Sequence, residues 1–111
     1  MASAFMLLTT GCKSYWIEAN VQNHTGQMIH QLEVDYPTAS FGTNNLAEGA
    51  ALRYRLQVRG SGIVQVDYIG SDGKTAHVQG VNLSERQHGE LTIILLPDGK
   101  ATFVPKLQPQ I

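Results

Sequence analysis

The chain has 111 residues, about the size of one domain, and a net charge of −1. A nucleic-acid-binding protein normally carries a basic stripe, and the sequence has none, so this class is excluded. No stretch is long and apolar enough to cross a bilayer as a helix. Only 15% of the residues are charged, against about a quarter in average proteins. This low charge together with many Gly, Thr, Asn and Gln residues favours an all-β envelope protein over a helical cytosolic one.

The first distinctive stretch runs from Ala4 to Cys12 and reads A-F-M-L-L-T-T-G-C. Four consecutive apolar residues are followed by three small residues and then by the only cysteine of the chain. This order resembles the end of a bacterial lipoprotein signal peptide, which a peptidase cuts immediately before a cysteine. The resemblance implies that Gly11 precedes the cut and that Cys12 is the lipid attachment residue, its thiol forming a thioether to a diacylglycerol.

Two features differ from the usual pattern of that family. Thr9 stands where Leu is usual, and Met1 to Phe5 contains neither Lys nor Arg. We therefore expect residues 1–11 to be the end of an incomplete signal peptide and residues 12–14 to be a short tether. The resemblance implies a protein of the bacterial cell envelope, anchored to a membrane through Cys12 and facing the periplasm or the exterior. The alternative is a chance cysteine in a loose N-terminus.

Residues 15–104 are predicted to form a single β-sandwich domain. Tyr15–Gln22 alternates apolar and polar residues, which indicates a strand with one buried face. Residues 23–26 read N-H-T-G and predict a turn. Met28–Tyr36 is the second predicted strand, with one face toward the core made of Met28, His30, Leu32, Val34 and Tyr36. On that face His30 is a better candidate for a core-edge histidine than for a metal ligand, because no partner stands at ligand spacing.

Pro37 is expected to end the second strand, and Pro37–Gly49 is the longest stretch without a strand pattern. We expect this stretch to be a loop, and loops often carry function. Phe41, Asn44 and Asn45 form a candidate binding loop, with an aromatic platform beside amide groups that suits a glycan or a protein partner. The alternative, which the sequence favours, is that Phe41 closes one end of the core.

Ala51–Arg59 alternates again, with Arg53, Arg55 and Arg59 on the face opposite its apolar residues. This candidate charged face could bind an acidic partner or lipid headgroups. It could equally keep an edge strand soluble and prevent unwanted pairing, and the near-neutral total charge favours that interpretation.

Further strands are predicted at Ile63–Ile69, Lys74–Val81, Leu91–Leu96 and Ala101–Val104. Turns with Asp-Gly at residues 72–73 and 98–99 separate two pairs of them. The result is about seven strands, which predicts an all-β antiparallel sandwich of immunoglobulin-like or fibronectin-like architecture. The Cys-Trp-Cys core of antibody domains is absent, so this likeness is architectural. Residues 105–111 are expected to be an irregular C-terminal tail.

No residue pattern predicts catalysis. The sequence lacks a nucleophile elbow, a phosphate-binding loop and a dinucleotide fingerprint. Its four histidines have no metal-ligand spacing, and neither a metal nor another cofactor is predicted. The leading hypothesis is therefore a small lipid-anchored envelope protein that acts as a binding or scaffolding module for a protein or glycan partner. The alternative is an unanchored accessory β domain that binds a protein partner, and an enzyme is the third and least supported hypothesis.

Overall fold

The structure is a computed structural model, and it describes residues 16–108. Eight strands form a sandwich of two four-stranded sheets, so the predicted fold class is confirmed. The first sheet has the order β4-β1-β7-β8, and the second has the order β3-β2-β5-β6. No α-helix occurs between residues 16 and 108, and hence none that could span a membrane. The residues proposed as signal peptide and tether lie outside this range.

The first sheet contains β1 (Ile17–Asn23), β4 (Ala51–Leu56), β7 (His88–Leu96) and β8 (Lys100–Gln108). Strand β1 pairs antiparallel with β4 and parallel with β7, which gives the sandwich one parallel pair among its antiparallel ones. The second sheet contains β2 (Ile29–Tyr36), β3 (Ala39–Leu46), β5 (Gly62–Ile69) and β6 (Thr75–Leu83). All of its pairs are antiparallel.

Alternating apolar residues build the core, because successive side chains of a strand point to opposite faces of a sheet. β1, β5 and β7 each send three apolar side chains into the space between the sheets, and all of these are buried. They are Ile17, Ala19 and Val21; Val64, Val66 and Tyr68; and Leu91, Ile93 and Leu95. The one buried face predicted for β1 is therefore confirmed. The near-continuous apolar run at Leu91–Leu96 predicts a strand buried on both faces, whereas the outer face of β7, with Thr92, Ile94 and Leu96, is only partly buried.

The predicted loop at residues 37–49 is wrong over most of its length. Only a two-residue turn follows β2, and Ala39–Leu46 then forms β3, which pairs with β2 from Tyr36↔Ala39 to Ile29↔Leu46. Glycine, serine, threonine and asparagine dominate this strand, so it shows no apolar alternation. Its pairing with β2 holds these residues in a strand that their own propensities do not predict.

The predicted face of β2 is also wrong in its first half. A register irregularity between His30 and Glu33, with Gln31 at φ 50°, shifts the alternation by one residue. Ile29 therefore enters the core with Leu32, whereas Met28 is exposed. His30 is not on the core face, and its Nδ1 lies 2.7 Å from Oδ1 of Asn45 on β3.

The last strand is longer than predicted. β8 continues to Gln108, so residues 105–108 belong to the sheet and not to an irregular tail. Pro105 fits because β8 is an edge strand, where a missing backbone donor breaks no ladder on the solvent side.

The two open sides of the sandwich are closed differently. On one side, the Phe103 ring of β8 covers Gly80 of β6, where an added Cβ would lie 2.3 Å from a ring carbon. On the other side, Phe41 of β3 stacks on Tyr54 of β4 with ring centroids 4.5 Å apart. Phe41 is buried, but Tyr54 remains 43% exposed, so this second side is less completely covered.

Candidate functional site

The outer faces of the two sheets carry opposite charge. Along each strand of the first sheet, side chains that point into the core alternate with side chains that point outward. The strand register places Arg55 of β4 beside Glu18 of β1, and Glu90 of β7 beside Lys106 of β8. Its strands hold four basic and two acidic residues, all directed outward: Arg53, Arg55, Lys100, Lys106, Glu18 and Glu90. We call this surface the basic face.

The second sheet has no Lys or Arg in any of its strands. Glu33 and Asp35 lie two residues apart on β2, and Glu33 is in register with Asp67 of β5. The pKa of Glu33 is raised above its ordinary value, because Asp35 hydrogen-bonds to the protonated form and repels the charged one. Asp67 adds repulsion and also pairs with Nδ1 of His77 on β6. We call this surface the acidic face.

The predicted charged face is brought together in part. Arg53 and Arg55 are both exposed on β4, an edge strand, whereas Arg59 lies beyond the end of β4 in the loop to β5. Nε of Arg55 donates to Glu18 at 2.9 Å, and its guanidinium lies 5.6 Å from the centre of the Trp16 ring. The two Lys of β8 at the opposite edge complete the basic face, and sequence spacing alone could not group them with the arginines.

A cleft of about 570 Å³ lies at the end of the sandwich where β1 finishes. Its walls are the β5–β6 turn, the β7–β8 turn and the segment between β1 and β2. Asp72 and Lys74 come from the first turn and Asp98 from the second, so both predicted Asp-Gly turns border the cleft. Tyr68 also lines it, and burial raises the pKa of its hydroxyl.

Asn23 positions one wall of this cleft. Its side chain is fully buried, and its Nδ2 donates to the carbonyls of Gln27 at 2.8 Å and of Leu46 at 2.9 Å. Its Oδ1 accepts from the backbone N–H of Thr25 at 2.9 Å and from the Thr25 hydroxyl at 2.7 Å. Because Leu46 ends β3, this one amide also joins the two sheets. The sequence predicted only a turn at this position. An Asn two residues before a Thr is a local pattern that could have predicted the hydrogen bonds between the Asn23 side chain and Thr25.

The opposite wall is tied to the same segment. The Ser71 hydroxyl donates to the carbonyl of Met28 at 2.6 Å, and the N–H of Lys74 donates to Oδ1 of Asp72 at 3.0 Å. Within the β5–β6 turn, the N–H of Gly73 donates to the carbonyl of Gly70 at 2.9 Å. The cleft is thus held open by hydrogen-bonded turns and presents acidic, basic and hydroxyl groups suited to a small polar ligand or a polar loop.

No group of three or more His, Cys, Asp or Glu residues between residues 16 and 108 is arranged to hold a metal ion. No family model and no curated protein matches the chain. Among solved structures, the chain is similar to the NMR structure of a protein from Eubacterium rectale, with 11% identity and a TM-score of 0.60. The match covers 84% of this chain and 90% of the other. At this identity the likeness concerns the fold alone.

The predicted binding loop takes a different form in the structure. Phe41 is buried against the core, so the prediction that its ring forms an exposed aromatic platform is wrong. Its burial agrees with the alternative, in which Phe41 closes one end of the core. Asn44 and Asn45 are exposed on strand β3 rather than on a loop. Cys12, the predicted lipid attachment residue, lies outside the described residues.

Proposed function

We propose that this protein is a binding or scaffolding module of the bacterial cell envelope, anchored to a membrane through a lipid on Cys12. The basic face carries this proposal furthest. Among the eight described strands, Lys and Arg occur only in the sheet that contains β1, the first strand after the proposed tether. A basic surface is attracted to the anionic headgroups of a membrane by about 1 kcal/mol per Lys or Arg close to the surface.

The short tether limits how far the domain can move from the membrane. Four residue steps separate Cys12 from Trp16, which corresponds to at most roughly 14 Å of extended chain. Trp16 is 36% exposed, and tryptophan is enriched at membrane interfaces. A domain lying with the basic face on the headgroups satisfies this limit and turns the acidic face away from the negatively charged lipids.

In this orientation the cleft opens along the membrane and the acidic face points into the aqueous space. The binding function is assigned to the cleft, because its walls are fixed by hydrogen bonds and carry unlike charges at Asp72, Asp98 and Lys74. The ligand class that fits is a small polar molecule or a loop of a partner protein with both cationic and anionic groups.

The anchor is tested by expressing the protein behind a complete bacterial lipoprotein signal, in parallel with Cys12→Ser. The membrane fraction should contain the parent protein with a mass increased by a diacylglycerol at Cys12. Cys12→Ser is expressed behind a secretory signal whose cleavage needs no cysteine, so that no apolar signal segment remains on it. It should lack the added mass and be released by high salt, because only the basic face then holds it. An unmodified parent, or equal membrane retention of both proteins in high salt, would refute the anchor.

A further inference from the structure

The four edge strands of the sandwich differ in how they discourage pairing with another chain. β4 carries Arg53 and Arg55, and β8 carries Lys100, Lys106 and Pro105. β6 has an irregular register between Ile63 and Gln65 of its partner, and Phe103 covers its Gly80. Charges, proline and bulges are the usual means by which proteins protect edge strands.

β3 has none of these protections. Ala39–Leu46 contains no charged residue, no proline and no residue with positive φ, and its eight residues pair with β2 almost without interruption. Its outer edge therefore presents a regular row of backbone groups to which a further strand can add. Tyr54, the half-exposed aromatic residue on β4, lies beside this edge through its stacking on Phe41.

We propose that β3 is a self-association edge at which the β3 strands of two copies of this chain pair antiparallel. The two second sheets then become one continuous eight-stranded sheet. A two-fold axis through β3 places only Ala, Ser, Phe, Gly, Thr, Asn and Leu opposite one another. Pairing at β3 therefore opposes no Lys, Arg, Asp or Glu residue of the two strands. β6 also lacks these residues, but its irregular register and the Phe103 ring over Gly80 interrupt that edge, so β3 is the uncharged edge without interruption.

The added strand also accounts for the exposure of Tyr54. The inward side chains of the partner's β3 extend the core past Phe41 and cover the side of the sandwich that the aromatic stack leaves incomplete. The axis is perpendicular to the sheets, so both copies can lay their basic faces on the same membrane. The pairing does not depend on the lipid, because every residue that it uses lies between residues 39 and 54.

Self-association is measured on the Cys12→Ser chain, so that a missing anchor cannot affect the result. Sedimentation equilibrium should show a monomer–dimer equilibrium. In a separate measurement, amide hydrogen exchange should become slower in β3 as the protein concentration rises and should stay unchanged in β6. Asn44→Lys places a charge on each exposed β3 strand and should weaken the dimer at least about tenfold. Asn82→Lys, the same exchange on exposed edge strand β6, should leave the dimer unchanged.

A monomer at every concentration in which the protein remains soluble would overturn the proposal. So would a dimer that Asn82→Lys dissociates and Asn44→Lys does not. Circular dichroism of both variants shows whether each keeps the β fold, and concentration-dependent exchange in β3 of the parent provides a readout that requires no substitution.

Discussion

The two sheets have the same number of strands and similar buried faces, but their outer faces differ. The first sheet carries four basic and two acidic residues on its strands, whereas the second carries three acidic residues and no Lys or Arg. Each sheet contributes alternating apolar residues to one shared core, so burial does not require this difference. The difference in charge between the two outer faces therefore indicates that they meet different environments. We propose that one face lies on a membrane and that the other faces water.

The largest expected effect concerns the residue that joins the sheets. Asn23→Ala removes four hydrogen bonds of a fully buried side chain and leaves two carbonyls and one N–H without that partner. We expect the free energy of unfolding to fall by about 2–4 kcal/mol, measured by urea denaturation. Asn45→Ala, an exposed asparagine on β3, is the control and should cost far less. Equal losses in the two variants would contradict the assigned role of Asn23.

The next prediction tests the closed side of the sandwich, where the sheets meet through Phe103. Gly80→Ala puts a Cβ about 2.3 Å from the ring, so the ring or the strand must move. Overpacking of this kind costs about 1–3 kcal/mol, which thermal unfolding would detect. Adding Phe103→Leu should restore part of the loss. A Gly80→Ala protein with parental stability would show that this contact does not constrain the two sheets.

A third prediction tests the charge of the basic face. In the Cys12→Ser protein, replacing Lys100 and Lys106 by Gln should weaken binding to phosphatidylglycerol vesicles by about 1–2 kcal/mol in low salt. Lys74→Gln removes a single lysine in the β5–β6 turn, outside the basic face, and should have less effect. The difference should disappear in high salt, since screening removes long-range attraction. Equal affinities of the parent and the double variant in low salt would contradict the membrane-facing role.

The smallest expected effect belongs to the acidic face. The raised pKa of Glu33 means that the folded protein holds this proton more tightly than the unfolded chain does. Its stabilising contribution is complete below the unfolded pKa of about 4.5 and is lost as the pH rises through the folded pKa. Glu33→Gln should therefore flatten the pH dependence of stability in this window. Glu85→Gln, outside the sheets, should retain the parental curve, and a parental curve for Glu33→Gln would contradict the assigned repulsion.

Period-two alternation was sufficient to predict β1 and β5, because their core residues alternate without interruption, whereas β7 is predicted by its short continuous apolar run. It failed at β2, where the irregularity at Gln31 moves Ile29 into the core and His30 out of it. It also failed at β3, whose asparagines and glycine resemble a loop until β2 pairs with them. Such pairing is a tertiary interaction and leaves no local pattern in the sequence.

The candidate surfaces were less accessible to prediction than the strands. Alternation shows that Arg53 and Arg55 share a face, but only strand order reveals that Lys100 and Lys106 belong to the same sheet. The cleft likewise depends on two turns that are more than twenty residues apart in the chain and adjacent in the fold. The Asp-Gly turns themselves were predicted correctly, since their conformations follow from local chemistry.

The orientation of the domain on the membrane can be measured directly by cysteine accessibility. Thr102→Cys on the basic face and Gln79→Cys on the outer side of the second sheet are exposed positions on matching edge strands. In the lipidated protein on phosphatidylglycerol vesicles, a water-soluble maleimide should label Cys at position 102 slowly and at position 79 rapidly. Detergent should remove the difference. Equal rates on the vesicles, or slower labelling at position 79, would contradict a domain that rests on its basic face.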